Sequence, residues 1–365
     1  MWFGAVRALR ERGHSVDVLK TVVDPSHPRI LDLRALGCRV VDIDRFSARR
    51  FLGANTMLPR GLVFGDFRLG QLEVAWEFLS RGRPDLAIVS QGLNFDGINL
   101  AGACLRLRVP YVLVAQKATE LLWPEDHARP YVERVYRGAR RAAFVSEHNR
   151  RLTENQLGIT IPGAVVLPNP VLVARRSPLP WPGVNDGEYR LACVGRLFAF
   201  EKAQDVLLEV LARDHWRDRP LHISFHGEGR NRRGLEDMAR RLGLRRVSFA
   251  GQSPRIEDVW RDHHGLILPS RAEGMPLALL EAMACGRMAV VTDVGGNAEL
   301  VEDGVSGFVA AGPVPAAIDD ALERAWQRRA KWEAIGAAAA ARIAELMPDR
   351  DGSALADLVA DELTR

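Results

Sequence analysis

The sequence predicts an α/β protein built from two doubly wound domains. Three observations carry this. Short runs of Val, Ile and Leu alternate with helical periodicity over most of the 365 residues, and such runs are strands of parallel sheets covered by helices on both faces. A Pro- and Gly-rich stretch, PNPVLVARRSPLPWPGVNDG (168–187), divides the chain where proline blocks regular structure. The length accommodates two domains of about 100–200 residues each.

The first-domain strands are SVDVL (15–19), CRVVDI (38–43), DLAIVS (85–90), YVLVAQ (111–116) and AAFVS (142–146). They are apolar and rich in Val and Ile, as strands require. Between them RLGQLEVAWEFLSRG (68–82) and INLAGACLRLR (98–108) carry apolar residues at helical spacing. The second domain offers YRLACVG (189–195), LHISFHG (221–227), RVSFAG (246–251), GLILPS (265–270), MAVVTD (288–293) and GFVAA (307–311), with helices at 203–213, 231–243 and 276–286. Residues 314–345 read as helix, and 352–365 as one more. The expected domains are 1–170, a linker at 171–188, a second domain at 189–345 and a helical tail at 346–365. A ligand cleft is expected between the domains, at the carboxyl ends of the strands. The front departs from this plan. MWFGAVRALRERGHSVDVL is a helix, a Gly-His turn and a strand, whereas a doubly wound domain opens on a strand and a glycine-rich turn. Either the start lies upstream or the domain lacks its central strand, and the reading favours an upstream start.

Composition narrows the function. No run approaches the roughly 18 apolar residues of a membrane span, and no secretory signal is legible at the front. Cys38, Cys104, Cys193 and Cys285 are far apart and lie beside apolar segments. They read as buried thiols of a reducing, cytoplasmic compartment rather than as disulfides or a zinc site. The net charge of +4 is scattered over RERGH, RGARR, RNRR and ARRLGLRR. No aromatic-studded basic motif accompanies it, so nucleic acid is not an expected partner. Solvated helix faces account for the charge, with an anionic substrate or the anionic inner face of the plasma membrane as a second use.

The chemistry concentrates in GLILPSRAEGMPLALLEAMACG (265–286), where Glu273 and Glu281 stand eight positions apart. A buried strand precedes a helix that should start near Pro276 and end near Gly286. Glu273 then lies in the strand-to-helix loop at the carboxyl end of the sheet. Glu281 lies in the helix among Leu277, Leu279, Leu280, Ala282, Met283 and Ala284. A carboxylate in such company needs a polar partner. The spacing alone also fits a solvated helix stripe for Glu281 and a first-turn acid favoured by the helix dipole for Glu273.

These residues resemble the retaining GT-B glycosyltransferases of glycosyltransferase family 4. The resemblance is carried by SRAEGMPLALLEAMACG (270–286), VVTDVGGNAELVEDGVSGFV (290–309) and VGRLFAFEKAQDVLLEVLA (194–212). FHGEGRNRRGLEDMARRLGL (225–244), VSFAGQ (247–252) and VVLPNPV (165–171) extend it. It is dense in the second half and present in the first half only as pattern. The resemblance implies a GT-B fold of two Rossmann-like domains. It also implies a metal-independent transfer of sugar from a UDP-, GDP- or ADP-linked donor to a glycan, lipid or small-molecule acceptor, with retention of anomeric configuration. No cofactor is implied. By the same resemblance Glu281 takes the ribose hydroxyls, and one carboxylate holds a diol well because both bonds are charge-assisted. Glu273 takes hydroxyls of the donor sugar, and Arg196 and Lys202 neutralise the diphosphate. Gly274, Met275, Pro276 and Leu277 present the helix start to the donor, and Gly195, Gly227 and Gly251 close the neighbouring strands around it.

The acceptor side is less specific. VSQGLNFDGINLA (89–101) and AQKATELLWPEDH (115–127) follow strands, and their polar candidates are Gln91, Asn94, Asp96, Lys117, Glu120 and Asp126, with Trp123 as a residue to stack or pack. A histidine common in the resembled family is missing where Gln91 and Asn94 stand. The Asp-x-Asp of VDID (41–44) and DHH (262–264) read as a strand end and a helix end, not as metal sites. Two rival readings stay open: a GT-B sugar-nucleotide epimerase, and a non-catalytic GT-B protein that binds sugar nucleotides.

Overall fold

The structure, a computed structural model, describes residues 1–43, 69–173, 178–184, 187–347 and 352–364. Asp44 of the Asp-x-Asp pair and parts of the linker lie outside the described residues. The chain forms two compact units. One comprises Met1–Val145, Asn149–Pro168 and Asp351–Arg365, the other Ser146–His148 and Asn169–Arg350. Among the described residues no helix is long and apolar enough to cross a membrane, and all four cysteines are buried thiols.

In the first unit, β1 (Asp17–Lys20) pairs in parallel with β2 (Arg39–Asp42). A separate parallel sheet runs β3 (Ala87–Gln91), β4 (Tyr111–Ala115), β5 (Arg141–Phe144) and β6 (Ala164–Val166), in that order. Among the described residues no strand joins β1 to β3, and the break falls where a doubly wound domain places its opening strand. β4 is buried at all five positions. Tyr111, Leu113 and Ala115 pack toward the helices Ile98–Leu107 and Arg129–Gly138, and Val112 and Val114 toward Ala5, Leu9, Leu355 and Val359. Burial on both faces is why this strand reads as a continuous apolar run. The last helix, Ser353–Leu363, packs against the first, Trp2–Glu11. There the Nε of Arg141 donates to Glu362 at 2.8 Å.

The second unit is one six-stranded parallel sheet. Its strands are β7 (Tyr189–Val194), β8 (Leu221–His226), β9 (Val247–Gly251), β10 (Gly265–Leu268), β11 (Met288–Thr292) and β12 (Gly307–Ala310). They lie in the order β9-β8-β7-β10-β11-β12. This is the doubly wound 3-2-1-4-5-6 order, whose direction reverses between the first and fourth strands, and ligands bind outside the carboxyl ends at that reversal. Here the reversal lies between β7 and β10, and those two strands carry Arg196 and Glu273 at their carboxyl ends. Leu191, Cys193, Ile223 and Phe225 face one core, with the helices Gln204–Leu211 and Pro315–Gln327. The even positions of β8 face the opposite side.

Arg287 fixes the end of the linker on this unit. It is 1% exposed, donates from Nε to the carbonyl of Trp260 at 2.6 Å and from a terminal nitrogen to that of Pro180 at 2.7 Å. Burial lowers its pKa to about 10, so it stays charged at neutral pH. Arg287→Met keeps much of the volume and leaves those carbonyls unpaired. It is expected to cost about 2–3 kcal/mol, read as a lowered midpoint in urea with an unchanged slope.

Candidate functional site

The site is built at the carboxyl ends of β7 and β10. After β7 the chain turns through Gly195, Arg196 and Leu197 into the short helix Ala199–Lys202. After β8 it turns through Gly227, Glu228 and Gly229. The two turns touch. A Cβ on Gly227 (φ +140°) would meet the carbonyl oxygen of Gly195 at 2.0 Å, and one on Gly229 would meet that of Leu197 at 2.4 Å. No other residue type fits between these backbones.

From this turn Lys202 reaches the loop after β10. Its Nζ donates to Glu273 Oε1 at 2.5 Å, and the Ser270 hydroxyl donates to the same oxygen at 2.7 Å. Glu273 is 4% exposed. The loop is held from below: Thr292 Oγ1 donates to the carbonyl of Ser270 at 2.7 Å, and the backbone N–H of Gly296 to that of Gly274 at 2.6 Å. Gly295 adopts φ +56°, and a Cβ there would meet the Glu273 carbonyl oxygen at 2.3 Å. Arg271 locks the loop laterally, with a two-point pair to Asp205 at 2.9 and 2.8 Å. Arg196 pairs with Glu201 at 2.9 Å, and its side chain is 68% exposed. Beside it an open hollow of about 320 Å³ is lined by Arg196, Phe198, Gly229 and Arg230, with the Arg230 guanidinium 3.7 Å from the Phe198 ring centre.

The helix after the loop is Leu277–Ala284. Pro276 caps it in an extended conformation rather than opening its first turn, and Met275 before it is buried. The Met275 carbonyl accepts from Asn169 Nδ2 at 2.8 Å. Leu277 is 39% exposed. Glu281 is half-buried on this helix, and no protein group among the described residues hydrogen-bonds its carboxylate. The polar partner expected from its apolar neighbours is not another side chain. Burial, with the nearby Glu257 carboxylate adding to it, raises its pKa from 4.5 to about 7.

Not every predicted residue meets the others here. Gly195, Arg196, Gly227, Glu273, Gly274, Met275 and Pro276 lie in the turns after β7, β8 and β10, Lys202 ends the short helix after β7, and Leu277 and Glu281 lie on the helix after β10. Gly251 ends β9 with φ +77°. The acceptor-side residues belong to the first unit. Gln91 is 0% exposed and its amide is used on both sides, donating to the carbonyl of Asp96 at 2.7 Å and accepting from Tyr136 at 2.9 Å. Asn94 donates to Gln156 at 2.5 Å, and Asp96 accepts from the Leu93 N–H at 2.7 Å. These three hold the loop after β3. Lys117, Glu120 and Asp126 lie in the segment after β4, where Trp123 is 64% exposed. His263 and His264 are buried, and no metal-ligating group of three forms among the described residues. Ser270, Thr292, Arg271 and Arg230 escaped sequence reading. For Ser270 the signal was its place three residues before Glu273.

The strand order, the touching glycine turns and the ammonium–carboxylate cluster define a doubly wound domain of the GT-B class, and comparison with known proteins agrees. Residues 188–328 match the family described as glycosyl transferases group 1, and residues 3–170 match the glycosyl transferase 4-like domain. The chain belongs to this family. A D-inositol 3-phosphate glycosyltransferase of Frankia alni is 37% identical over 173 residues, 42% of each chain. One from Nocardiopsis dassonvillei is 30% identical over 213 residues, 53% of this chain and 48% of that protein. The matches thus span less than half the length of these curated relatives. Among solved structures, Anabaena Alr3699/HepE in complex with UDP superposes with a TM-score of 0.72 at 17% identity, covering 100% of this chain and 94% of that one. The sucrose-phosphate synthase of Thermosynechococcus elongatus gives 0.74 at 16% identity, covering 99% and 92%. These likenesses fix the fold as GT-B.

The raised pKa of Glu281 has a sign. Folding favours its neutral form, so its contribution to stability is complete below pH 4.5 and is lost as pH rises through about 7. The melting temperature of the ligand-free chain is expected to fall across this window relative to Glu281→Gln, whose amide does not titrate. Parallel melting curves for the two chains between pH 5 and 8 would refute this.

Proposed function

We propose that this chain is a glycosyltransferase that moves a sugar from a nucleotide-sugar donor to a glycan, lipid or small-molecule acceptor with retention of anomeric configuration. The observation that carries it is the pairing of two differently placed glutamates at the strand-order reversal. Glu273 is already bonded to Lys202 and Ser270, whereas no group among the described residues hydrogen-bonds the Glu281 carboxylate. A ribose diol supplies the two O–H donors that Glu281 lacks. The relatives named as D-inositol 3-phosphate glycosyltransferases and the neighbours solved with UDP and UDP-glucose support a sugar nucleotide as the donor.

In this reading Lys202 spends one N–H on Glu273 and keeps two for the diphosphate. The exposed Arg196 supplies the second cation, so protein charge takes the place of a metal ion on the leaving group. Glu273, fixed from two sides, accepts from hydroxyls of the donor sugar. The acceptor attacks from the face the leaving group vacates, and the departing phosphate oxygen takes the acceptor's proton. The protein contributes position and electrostatics rather than a general base. Gln91, Asn94 and Asp96 shape the acceptor-side loop after β3, and Lys117 and Glu120 are the polar groups after β4 for the acceptor.

The test separates the two carboxylates. Glu281→Gln is expected to weaken binding of a bare nucleoside diphosphate about tenfold, the size of one charge-assisted hydrogen bond. Glu273→Gln leaves that binding within about twofold, and Glu273→Ala abolishes slow hydrolysis of a UDP-, GDP- or ADP-sugar. The reverse pattern sinks the assignment. Donor binding without turnover under any acceptor supports the non-catalytic reading.

A further inference from the structure

The side of the second-unit sheet opposite the Leu191–Phe225 core carries a polar chain that the proposed chemistry does not use. His222, Ser224 and His226 alternate on β8; His222 Nε2 lies 2.9 Å from Ser248 Oγ on β9, and Ser224 and His226 meet His263, which follows the helix Ile256–Asp262. Ser224 Oγ lies 3.0 Å from His226 Nε2 and 2.5 Å from His263 Nε2. His263 Nδ1 lies 2.7 Å from the carbonyl oxygen of Val259. The two imidazoles meet edge to face at 5.1 Å.

The direction of every proton follows. A carbonyl only accepts, so His263 carries its proton on Nδ1. Burial lowers the pKa of His263, so at neutral pH the ring is neutral and Nε2 holds a lone pair. The Ser224 hydroxyl must donate to it. The Ser224 oxygen then accepts from His226, whose proton is therefore on Nε2. Burial lowers the pKa of His226 to about 4, so this ring too is neutral. Its Nδ1 is left as a bare acceptor with no protein partner among the described residues. Unlike His264 Nε2, it is not an orphan sealed from solvent.

The position of that lone pair gives it a use. His226 ends β8 opposite Val194, one strand from the Gly195–Arg196 turn, and Gly227 beside it touches Gly195. The helix Ile256–Asp262, which leads into His263 beside His226, carries Glu257, whose charge acts on Glu281. A nucleotide with its diphosphate at Arg196 and Lys202 and its ribose at Glu281 extends its base toward this corner.

We propose that His226 is a specificity-determining residue for the nucleobase, its Nδ1 accepting a hydrogen bond from the ring N3–H of uracil. The inference rests on the nucleotide-sugar reading above. Uracil carries a donor at N3, and cytosine carries a lone pair there. A fixed acceptor favours the first and repels the second, and a site built around one buried hydrogen bond rejects the analogue that cannot make it. Ser224 and His263 are positioning residues, since they fix the tautomer.

Titration calorimetry with UDP, CDP and ribose 5-diphosphate tests this. The unmutated chain is expected to bind UDP at least about tenfold more tightly than CDP, and His226→Leu to bring that ratio close to one. Ribose 5-diphosphate, which has no base, should bind both within about twofold. His226→Asn, whose side-chain oxygen can stand near the Nδ1 position, should restore part of the ratio, and Ser224→Ala should lower it in part by releasing the tautomer. In the unmutated chain the ¹⁵N resonance of His226 Nδ1 should move on adding UDP but not ribose 5-diphosphate, which tests the contact without any variant. UDP binding with an unmoved resonance, or an unchanged UDP/CDP ratio in His226→Leu, overturns the inference. Failure of all three ligands to bind overturns instead the reading of the site as one for nucleotides.

Discussion

The pair between Lys202 and Glu273 is the interaction on which the rest of the second unit's site depends. Both side chains are buried, at 16% and 5% exposure, and burying two charges is costly unless geometry and extra hydrogen bonds compensate. The compensation is visible. Ser270 adds a second donor to the carboxylate, and the loop beneath is pinned by Thr292, Gly296 and Arg271. Beside the pair the turn after β7 lies close against the turn after β8, and that approach leaves no room for a Cβ at Gly227 or Gly229. The ion pair joins the ends of β7 and β10, and the glycine turns join those of β7 and β8.

Much of this was legible in the sequence, and the reasons differ by element. β4 and β10 were readable because both faces are buried, which makes an uninterrupted apolar run. The helix Glu147–Leu157 was not, since its sequence, EHNRRLTENQL, is polar on most positions and buries Asn149, Thr153 and Gln156. Side chains that serve tertiary hydrogen bonds erase the apolar period on which helix reading relies. β6, at three residues, is too short for any period. The paired glutamates and their cations stood out by spacing, but that Lys202 and Glu273 bond each other across 71 positions has no local signature. Gln91 illustrates the opposite difficulty. A polar residue at the end of a strand reads as a ligand, and the structure uses it to tie Tyr136 to the Asp96 loop.

The face of β8 shows how a polar pattern that looks like an interruption is organised. LHISFH alternates apolar and polar residues, whereas β10 in the same sheet is apolar throughout. Alternation of this kind usually marks a solvated face. Here Ser224 is buried at 5% exposure and sits between two imidazoles, so the polar positions form an internal relay. Such a chain is worth burying only when every donor finds an acceptor, because a half-satisfied network costs more than an apolar core. Following the protons from the Val259 carbonyl leaves one acceptor, His226 Nδ1, unmatched among the described residues, at the carboxyl end of β8.

The contrast between Glu273 and Glu281 comes from environment rather than residue type. Glu273 receives a cation and a hydroxyl, so it is held in one place, and a group so held can orient a ligand without reorganising. Glu281 receives no hydrogen bond from the described residues, and the neighbouring Glu257 carboxylate raises the cost of its charge. Near neutral pH it stands close to its own midpoint, and any ligand that donates hydrogen bonds to it stabilises the ionised form and releases a proton. In the proposed function, ribose binding and deprotonation of Glu281 are therefore one event, while the carboxylate that faces the sugar is set before the donor arrives. An anion placed between Lys202 and Arg196 adds to the division. It draws on cations that Glu273 and Glu201 only partly neutralise, and leaves the unpaired charge of Glu281 to the ligand's hydroxyls.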